Sequence, residues 1–286
     1  MTHAKPRILF LLSGEPANPD RPQVSALTAE VAAGLERRGA SVDFLTPGAV
    51  EIARLHPAHD LYVLKDKTPF NLSVAQVLAL AGARVVNTAR ASAVARDKVA
   101  ATALISAAGV PVPPSWTAGT AERFAPLAKD GALWLKPQRG SRGFGVRRIG
   151  RDGNPGAGRA LDAFGLPLPL FAQHEAPSDG TDLKLYVVGE RVWALRRPYP
   201  ASTLKEKLGR VVTPAPEFVA AALACGRALG LELYGVDFLV SGDSYSVVDV
   251  NAFPGYKGAA AAPEALADYL FNCVRGARTE AAEALR

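Results

Sequence analysis

Three short segments hold residues whose types and spacing suit phosphate and metal chemistry. The first runs Lys136-Pro137-Gln138-Arg139-Gly140-Ser141-Arg142-Gly143-Phe144-Gly145-Val146. Its closely spaced glycines, Gly140, Gly143 and Gly145, let a backbone approach a ligand with N–H groups free to cradle phosphate oxygens. Lys136, ending an apolar stretch, places a fixed ammonium beside them. Arg139 and Arg142 add charge that a plain hairpin turn would not need. No Gly-Lys-Ser/Thr follows the glycines, so this is not a Walker A loop. The second segment pair is Asp237 with Asp249-Val250-Asn251. Positions two apart on a strand face the same side, so two carboxylates and an amide oxygen converge if the two stretches pair. That all-oxygen set suits Mg²⁺ bridging nucleotide phosphates. The flanking Val236, Phe238, Val248 and Val250 are apolar, and a carboxylate on such a strand is costly unless paired or metal-bound. The alternative is a pair of strand ends at the surface. The third segment, Arg96-Asp97-Lys98, reads by itself as the charged face of a helix.

The elements around these segments change character along the chain. Arg7 to Leu12 is an apolar run of the kind a buried parallel strand shows. Gln23 to Arg38 reads as an amphipathic helix stopped by Gly39, Ser41–Leu45 and Leu61–Leu64 as strands, Ser73–Ala81 as a helix, and Arg84–Asn87 as a fourth strand. Alternating strand and helix predicts a small open parallel sheet covered on both faces. Ala93–Ala108 follows as a helix, ended by Gly109 and the extended Val110-Pro111-Val112-Pro113-Pro114. Leu133–Lys136 and Val146–Ile149 flank the glycine loop as strands. Hairpins are predicted at Leu183–Val188 with Val192–Arg196, around Gly189-Glu190, and at Tyr234–Val240 with Ser246–Val250, around Gly242-Asp243. Helices are predicted at Pro216–Leu229 and Pro263–Val274, and the Ala-, Glu- and Arg-rich end is expected to fray. The chain thus begins as α/β and continues as α+β.

Composition excludes several classes. Of 286 residues, 49% are hydrophobic and 21% charged, an ordinary globular balance that can bury a core. The only two cysteines, Cys225 and Cys273, match no metal spacing and suit a reducing compartment. No apolar run reaches the ~20 residues of a membrane span, and the N-terminus lacks the apolar length of a secretion signal; a soluble cytoplasmic protein is expected. The net charge of +6 comes without a basic block interleaved with aromatics, so a polyphosphate-binding cleft is preferred to nucleic acid. No Ser/His/Asp or Cys/His nucleophile arrangement is visible.

Taken in order, Asp97-Lys98, Ala108 to Pro113, Lys136-Pro137 with its glycine loop, Gln173-His174-Glu175, Gly180-Thr181-Asp182-Leu183-Lys184, Val187-Val188-Gly189, Leu229-Gly230-Leu231, Gly235-Val236-Asp237 and Asp249 to Gly255 resemble the ATP-grasp superfamily. The resemblance implies a Rossmann-like N-terminal domain (1–92), a central lid (93–172), a C-terminal antiparallel-sheet domain (173–275) and a frayed tail (276–286), with ATP between two antiparallel sheets. By position, Lys98 and Lys136 resemble the lysines on the α- and β-phosphates. Gly140, Ser141, Arg142, Gly143 and Gly145 resemble the closing lid. Gln173, His174 and Glu175 resemble the linker that meets adenine largely through backbone. Asp182 and Lys184 match positions near the ribose and phosphates, and Asp237, Asp249 and Asn251 match magnesium ligands. The implied cofactors are ATP and Mg²⁺, two ions, with Mn²⁺ as a substitute.

Two branches of the superfamily stay open, with a non-catalytic ATP-binding regulator as a third reading. RimK-type glutamate ligases, similar to glutathione synthetases, share the Asp-Lys pair and the lysine–glycine-loop arrangement, and join a carboxylate to an amine through an acylphosphate. They usually carry an Arg-Ser-Asn segment where this chain has Arg196 to Lys205, and Glu where it has Asp249. Inositol 1,3,4-trisphosphate 5/6-kinases share Arg197-Pro198, Leu204-Lys205 and the run from Asp249 to Gly258, and phosphorylate a hydroxyl. Lys65, Lys205 and Lys257 fall among the basic residues such a branch would use. The glycine loop leans toward the ligases. Arg197 and Lys184 are expected to be catalytic. Arg196 and Arg197 are expected to grip an acidic small-molecule substrate, since a guanidinium fork matches carboxylate or phosphate. A homo-oligomer is left open.

Overall fold

The computed structural model describes residues 5–15, 18–46, 50–140, 145–150, 169–201 and 203–284. The first layer comprises β1 (Arg7–Leu11), the small hairpin β2 (Gly14–Glu15) and β3 (Asn18–Pro22), α1 (Ala26–Arg37), β4 (Ser41–Leu45), β5 (Leu61–Leu64), α2 (Pro69–Leu80) and β6 (Val85–Val86). Its parallel sheet has the order β4-β1-β5-β6, with Phe10 opposite both Phe44 and Val63. The apolar run of β1 follows from its central place in the sheet, where Ile8, Phe10 and Leu11 are fully buried. The helix starts are set by caps. Ser25 accepts from the Thr28 N–H and starts α1 at Ala26 rather than Gln23. Thr68 accepts from the Asn71 N–H with Pro69 next, so α2 begins at Pro69 rather than Ser73.

The single helix expected over Ala93–Ala108 is two helices, α3 (Ala89–Arg96) and α4 (Lys98–Ala107). Asp97 is not on a helix face. It is extended (φ −91°, ψ 105°), and its side chain accepts from the N–H groups of Val99 and Ala100. A short carboxylate that can satisfy two orphan donors stabilises a helix start more than it does a helix interior.

The second layer is β7 (Ser115–Ala118), β8 (Leu133–Pro137), β9 (Arg147–Ile149) and β10 (Leu170–His174), antiparallel in the order β7-β10-β8-β9. It has its own core of Phe124, Leu133, Leu135, Ile149, Leu170 and Ala172. Gln173 and His174, expected in a linker, end strand β10, and the boundary expected between 172 and 173 falls inside that strand.

The third layer holds β11 (Thr181–Val188), β12 (Arg191–Pro198), α5 (Leu204–Leu208), β13 (Arg210–Val212), α6 (Pro216–Leu229), β14 (Leu233–Ser241), β15 (Ser244–Ala252) and α7 (Ala262–Ala284). Its antiparallel sheet runs β13-β12-β11-β14-β15. Leu183, Leu185 and Val187 on one face pack with Ala91, Ala95, Ala101 and Ile105, so α3 and α4 belong to this layer's core. On the other face, Tyr186, Val188, Leu195 and Leu233 share a core with Ile8, Phe10 and Val63 of the first sheet and with Leu266, Leu270 and Val274 of α7. Arg38 ties α1 to α7 through Asp268 at 2.6 Å and through Glu264. The tail expected to fray continues α7 to Ala284, in keeping with the helix propensity of Ala, Glu and Arg. No helix of the described residues is long and apolar enough to cross a membrane.

Candidate active site

The candidate site on the third sheet is built from one row of side chains. Lys184 on β11 stands opposite Asp237 on β14, and Asp237 stands opposite Asp249 on β15. Pairing then shifts to Phe238 with Val247, so β15 bulges at Val248 beside the carboxylates, a device that re-aims neighbouring side chains. Lys184 donates to Asp237 Oδ2 at 2.6 Å and is only 5% exposed. Its path across the sheet is open because position 235 is glycine: a Cβ there would lie 3.0 Å from Lys184 Cε and 3.1 Å from the Tyr186 ring.

Arg197 reaches the same carboxylate from β12. Its Nε and one NH2 group hold Asp182 in a two-bond fork at 2.7 Å each, and NH2 also donates to Asp237 Oδ1 at 2.8 Å. Burial pushes the Asp237 carboxyl up, but Lys184 and Arg197 together outweigh it and hold it below the usual carboxylate range. At Asp182 burial wins over the Arg197 fork, and the carboxyl is raised. The Arg197 guanidinium stays charged, its partners outweighing burial.

Asn251 completes the set. Its amide nitrogen lies 3.0 Å from Asp249 and 3.3 Å from Asp237. Among the described residues no group of three or more His, Cys, Asp or Glu could hold a metal; the set here is two carboxylates and an amide. It fits Mg²⁺ in chemistry, since every donor is a hard oxygen once the Asn251 amide is turned over. Asp237 is already paired with two cations, which leaves Asp249 and Asn251 as the residues that could hold a divalent ion.

From β8 of the second sheet comes Lys136, a partly buried lysine. It donates to Gln173 Oε1 at 2.9 Å, and the Gln173 amide donates to Ser115 Oγ at 3.2 Å. Burial lowers the Lys136 ammonium below its ordinary range, with Asp249 pulling upward and Lys98 downward. Lys98 at the start of α4 donates to the Gly140 carbonyl at 3.3 Å. Asp97 takes Gln138 and Arg139 at 2.6 and 3.2 Å, and the Lys98 N–H donates to the Gln138 carbonyl. These contacts pin the start of the glycine loop to the α3–α4 break. Gly145 takes φ +73°, a turn conformation favouring glycine. Ser141, Arg142 and Gly143 lie outside the described residues.

Other residues expected at the site have partners within the protein. Gln173 engages Lys136 through its side chain. The His174 and Glu175 N–H groups donate to the carbonyls of Pro114 and Ala132, so these two donors are engaged within the protein. The Glu175 carboxylate is clasped by Arg148 at 2.7 and 2.6 Å. Asp182 binds Arg197. Arg196 does not join Arg197, because neighbours on a strand face opposite sides; it pairs with Asp179 at 2.9 Å and Thr181 at 3.2 Å. Lys205, on α5, and Lys257 are exposed, and Lys65 turns to the carbonyl and ring of Phe253. Lys67, which donates to three carbonyls, is missing from the residues expected above, although its spacing of two from Lys65 is a usable signal.

Residues 199–272 match the family model described as the inositol 1,3,4-trisphosphate 5/6-kinase ATP-grasp domain. A probable α-L-glutamate ligase of Photobacterium profundum is 30% identical over 210 residues, covering 70% of this chain and 69% of the relative. The chain spans 66% of the length of the first curated relatives it matches. Among solved structures, a RimK domain protein ATP-grasp from Sphaerobacter thermophilus superposes with a TM-score of 0.73 at 20% identity, over 92% of this chain and 98% of that one. D-alanine–D-alanine ligase from Bacillus anthracis complexed with ATP gives 0.72 at 19% identity, over 96% and 99%.

Proposed function

Because the chain belongs to the ATP-grasp family, we propose that it is a Mg-ATP-dependent ligase that joins a carboxylate to an amine and releases ADP and phosphate. One observation carries the reading: Lys136, Lys184 and Arg197 are gathered around Asp237 and Asp249, Lys184 almost fully buried and the other two partly so. A site with this many desolvated cations suits a polyphosphate and the charge that develops during its transfer. The relatives named as glutamate ligases match 67–70% of the chain, and that breadth favours ligation.

In the first half-reaction a substrate carboxylate oxygen attacks the γ-phosphorus, the bond to the ADP oxygen breaks, and an acylphosphate forms. Lys136 from the lid and Lys98 from α4 bind phosphate oxygens, while Lys184 and Arg197 neutralise charge at the transferring group. Magnesium, held by Asp249 and Asn251 with Asp237 beside them, would supply further neutralisation of the phosphates; two ions, or manganese in place of magnesium, are part of this proposal. In the second half-reaction the amine attacks the acyl carbon, phosphate leaves, and the amine's proton is lost to solvent or phosphate. Arg197, a guanidinium paired with two carboxylates at the floor of the sheet, holds the acidic acceptor.

A second reading rests on the kinase-type match at 199–272: direct transfer to a hydroxyl of an acidic small molecule. Product analysis separates the two. With pooled carboxylates and amines, the ligase reading expects amine-dependent phosphate release and an amide product. ADP formation with a phosphorylated alcohol and no free phosphate would replace it with the kinase. ATP binding without turnover across both panels would leave a regulatory protein.

A further inference from the structure

The loop leaving β15 is held from the first sheet by a lysine outside the chemistry described above. Lys67 Nζ donates to the carbonyl oxygens of Ala252 at 2.7 Å, Lys65 at 3.2 Å and Phe253 at 3.4 Å. Lys65 Nζ reaches the same Phe253 carbonyl at 3.4 Å and lies 4.9 Å from its ring centroid. Phe253 needs such anchoring. Its φ of +35° is one that a bulky residue avoids, and its N–H donates to the Leu233 carbonyl at 2.7 Å. The Lys67 carbonyl in turn accepts from Arg96 of α3. One ammonium therefore gathers two successive carbonyls immediately after Asn251, and its own backbone is tied to the helix that precedes Asp97 and Lys98.

We propose that Lys67 is a positioning residue for the metal site: by fixing the direction in which the chain leaves β15, it sets the side chains of Asp249 and Asn251 before the metal–nucleotide arrives. The proposal rests on the reading of those two residues as metal ligands. Removing groups that orient metal ligands costs affinity by about 10–100-fold in other sites, and an effect of that order is expected here.

The test is a titration of the full chain with Mn²⁺ in the presence of a non-hydrolysable ATP analogue, followed by electron paramagnetic resonance of the free ion. Lys67→Met should weaken Mn²⁺ binding by about tenfold while the analogue's affinity without metal is unchanged, and Lys67→Arg should recover most of the loss. Asp249→Asn should abolish binding. If Lys67→Met binds Mn²⁺ as tightly as the wild type while Asp249→Asn does not, Lys67 is only a structural tie and the proposal fails. If Asp249→Asn also binds normally, the ligand assignment itself is wrong and the role of Lys67 falls with it. Should Lys67→Met not fold, Lys67→Gln, which keeps a neutral donor, carries the same comparison.

Discussion

Lys184 and Asp237 face one another across adjacent strands and close an ion pair at 2.6 Å with both side chains almost out of water. Removing one member leaves the other charged and buried. Lys184→Met should therefore destabilise the fold by about 3–5 kcal/mol, the range for breaking a buried pair. Urea denaturation measures it. A loss under about 1 kcal/mol, far below that range, would mean that Arg197 alone neutralises Asp237.

Asp249 differs, because the hydrogen bond it accepts comes from the neutral Asn251 amide. Asp249→Asn should reduce Mg-dependent ATP turnover by more than about a hundredfold, the scale of losing a main electrostatic contributor to the transition state. The urea midpoint should stay near that of the wild type. Normal turnover in this variant would refute the metal assignment.

The Arg197 side chain runs close past Gly209. A Cβ at that position would lie 2.6 Å from Arg197 Cγ and 2.8 Å from the Arg196 carbonyl, and Gly209 takes φ +62°, ψ −166°. Such a conformation costs other residues about 1–3 kcal/mol. Gly209→Ala should displace Arg197 and lower kcat at least tenfold with little change in the KM for ATP. Arg197→Ala should raise the acceptor's KM far more than that of ATP. Equal changes in both constants would remove Arg197 from the acceptor side.

Cys225 gives a pH prediction. Burial pushes its thiol up to about 12, so the unfolded chain releases this proton first as pH rises. The thiol's contribution is complete below the unfolded value, near pH 9, and is lost as pH climbs toward the folded value. Stability should fall by up to about 1.4 kcal/mol per pH unit from this group across that window. Urea midpoints from about pH 8 to 11, a range that brackets the unfolded value, should drop less steeply in Cys225→Ala. Parallel curves would show that other groups govern alkaline unfolding.

The charged row of the candidate site is legible in the sequence because its polar residues interrupt apolar strands, and because Gly189 and Gly242, at φ +59° and +58°, announce the two hairpins that carry it. The break at Asp97 is hidden by small Ala-rich sequence on both sides, which keeps one helical pattern through the cap. β7, β10 and β13 are only three to five residues long, and their pairing comes from partners distant in sequence. The separation of Arg196 from Arg197 is readable in principle from the two-residue period of a strand. The role of Gln173 is not, since its hydrogen bond to Lys136 spans two strands whose pairing no local signal specifies.

A single apolar core runs from the first sheet through α7 into the third, whereas the second sheet packs around a core of its own. The second sheet is thus joined to the rest largely by polar and backbone contacts, such as the Lys98 N–H to the Gln138 carbonyl and Arg139 to Asp97, and not by a shared apolar core. Under the proposed function, a cross-link between the second and third sheets should slow turnover while the Lys184–Asp237 pair stays intact.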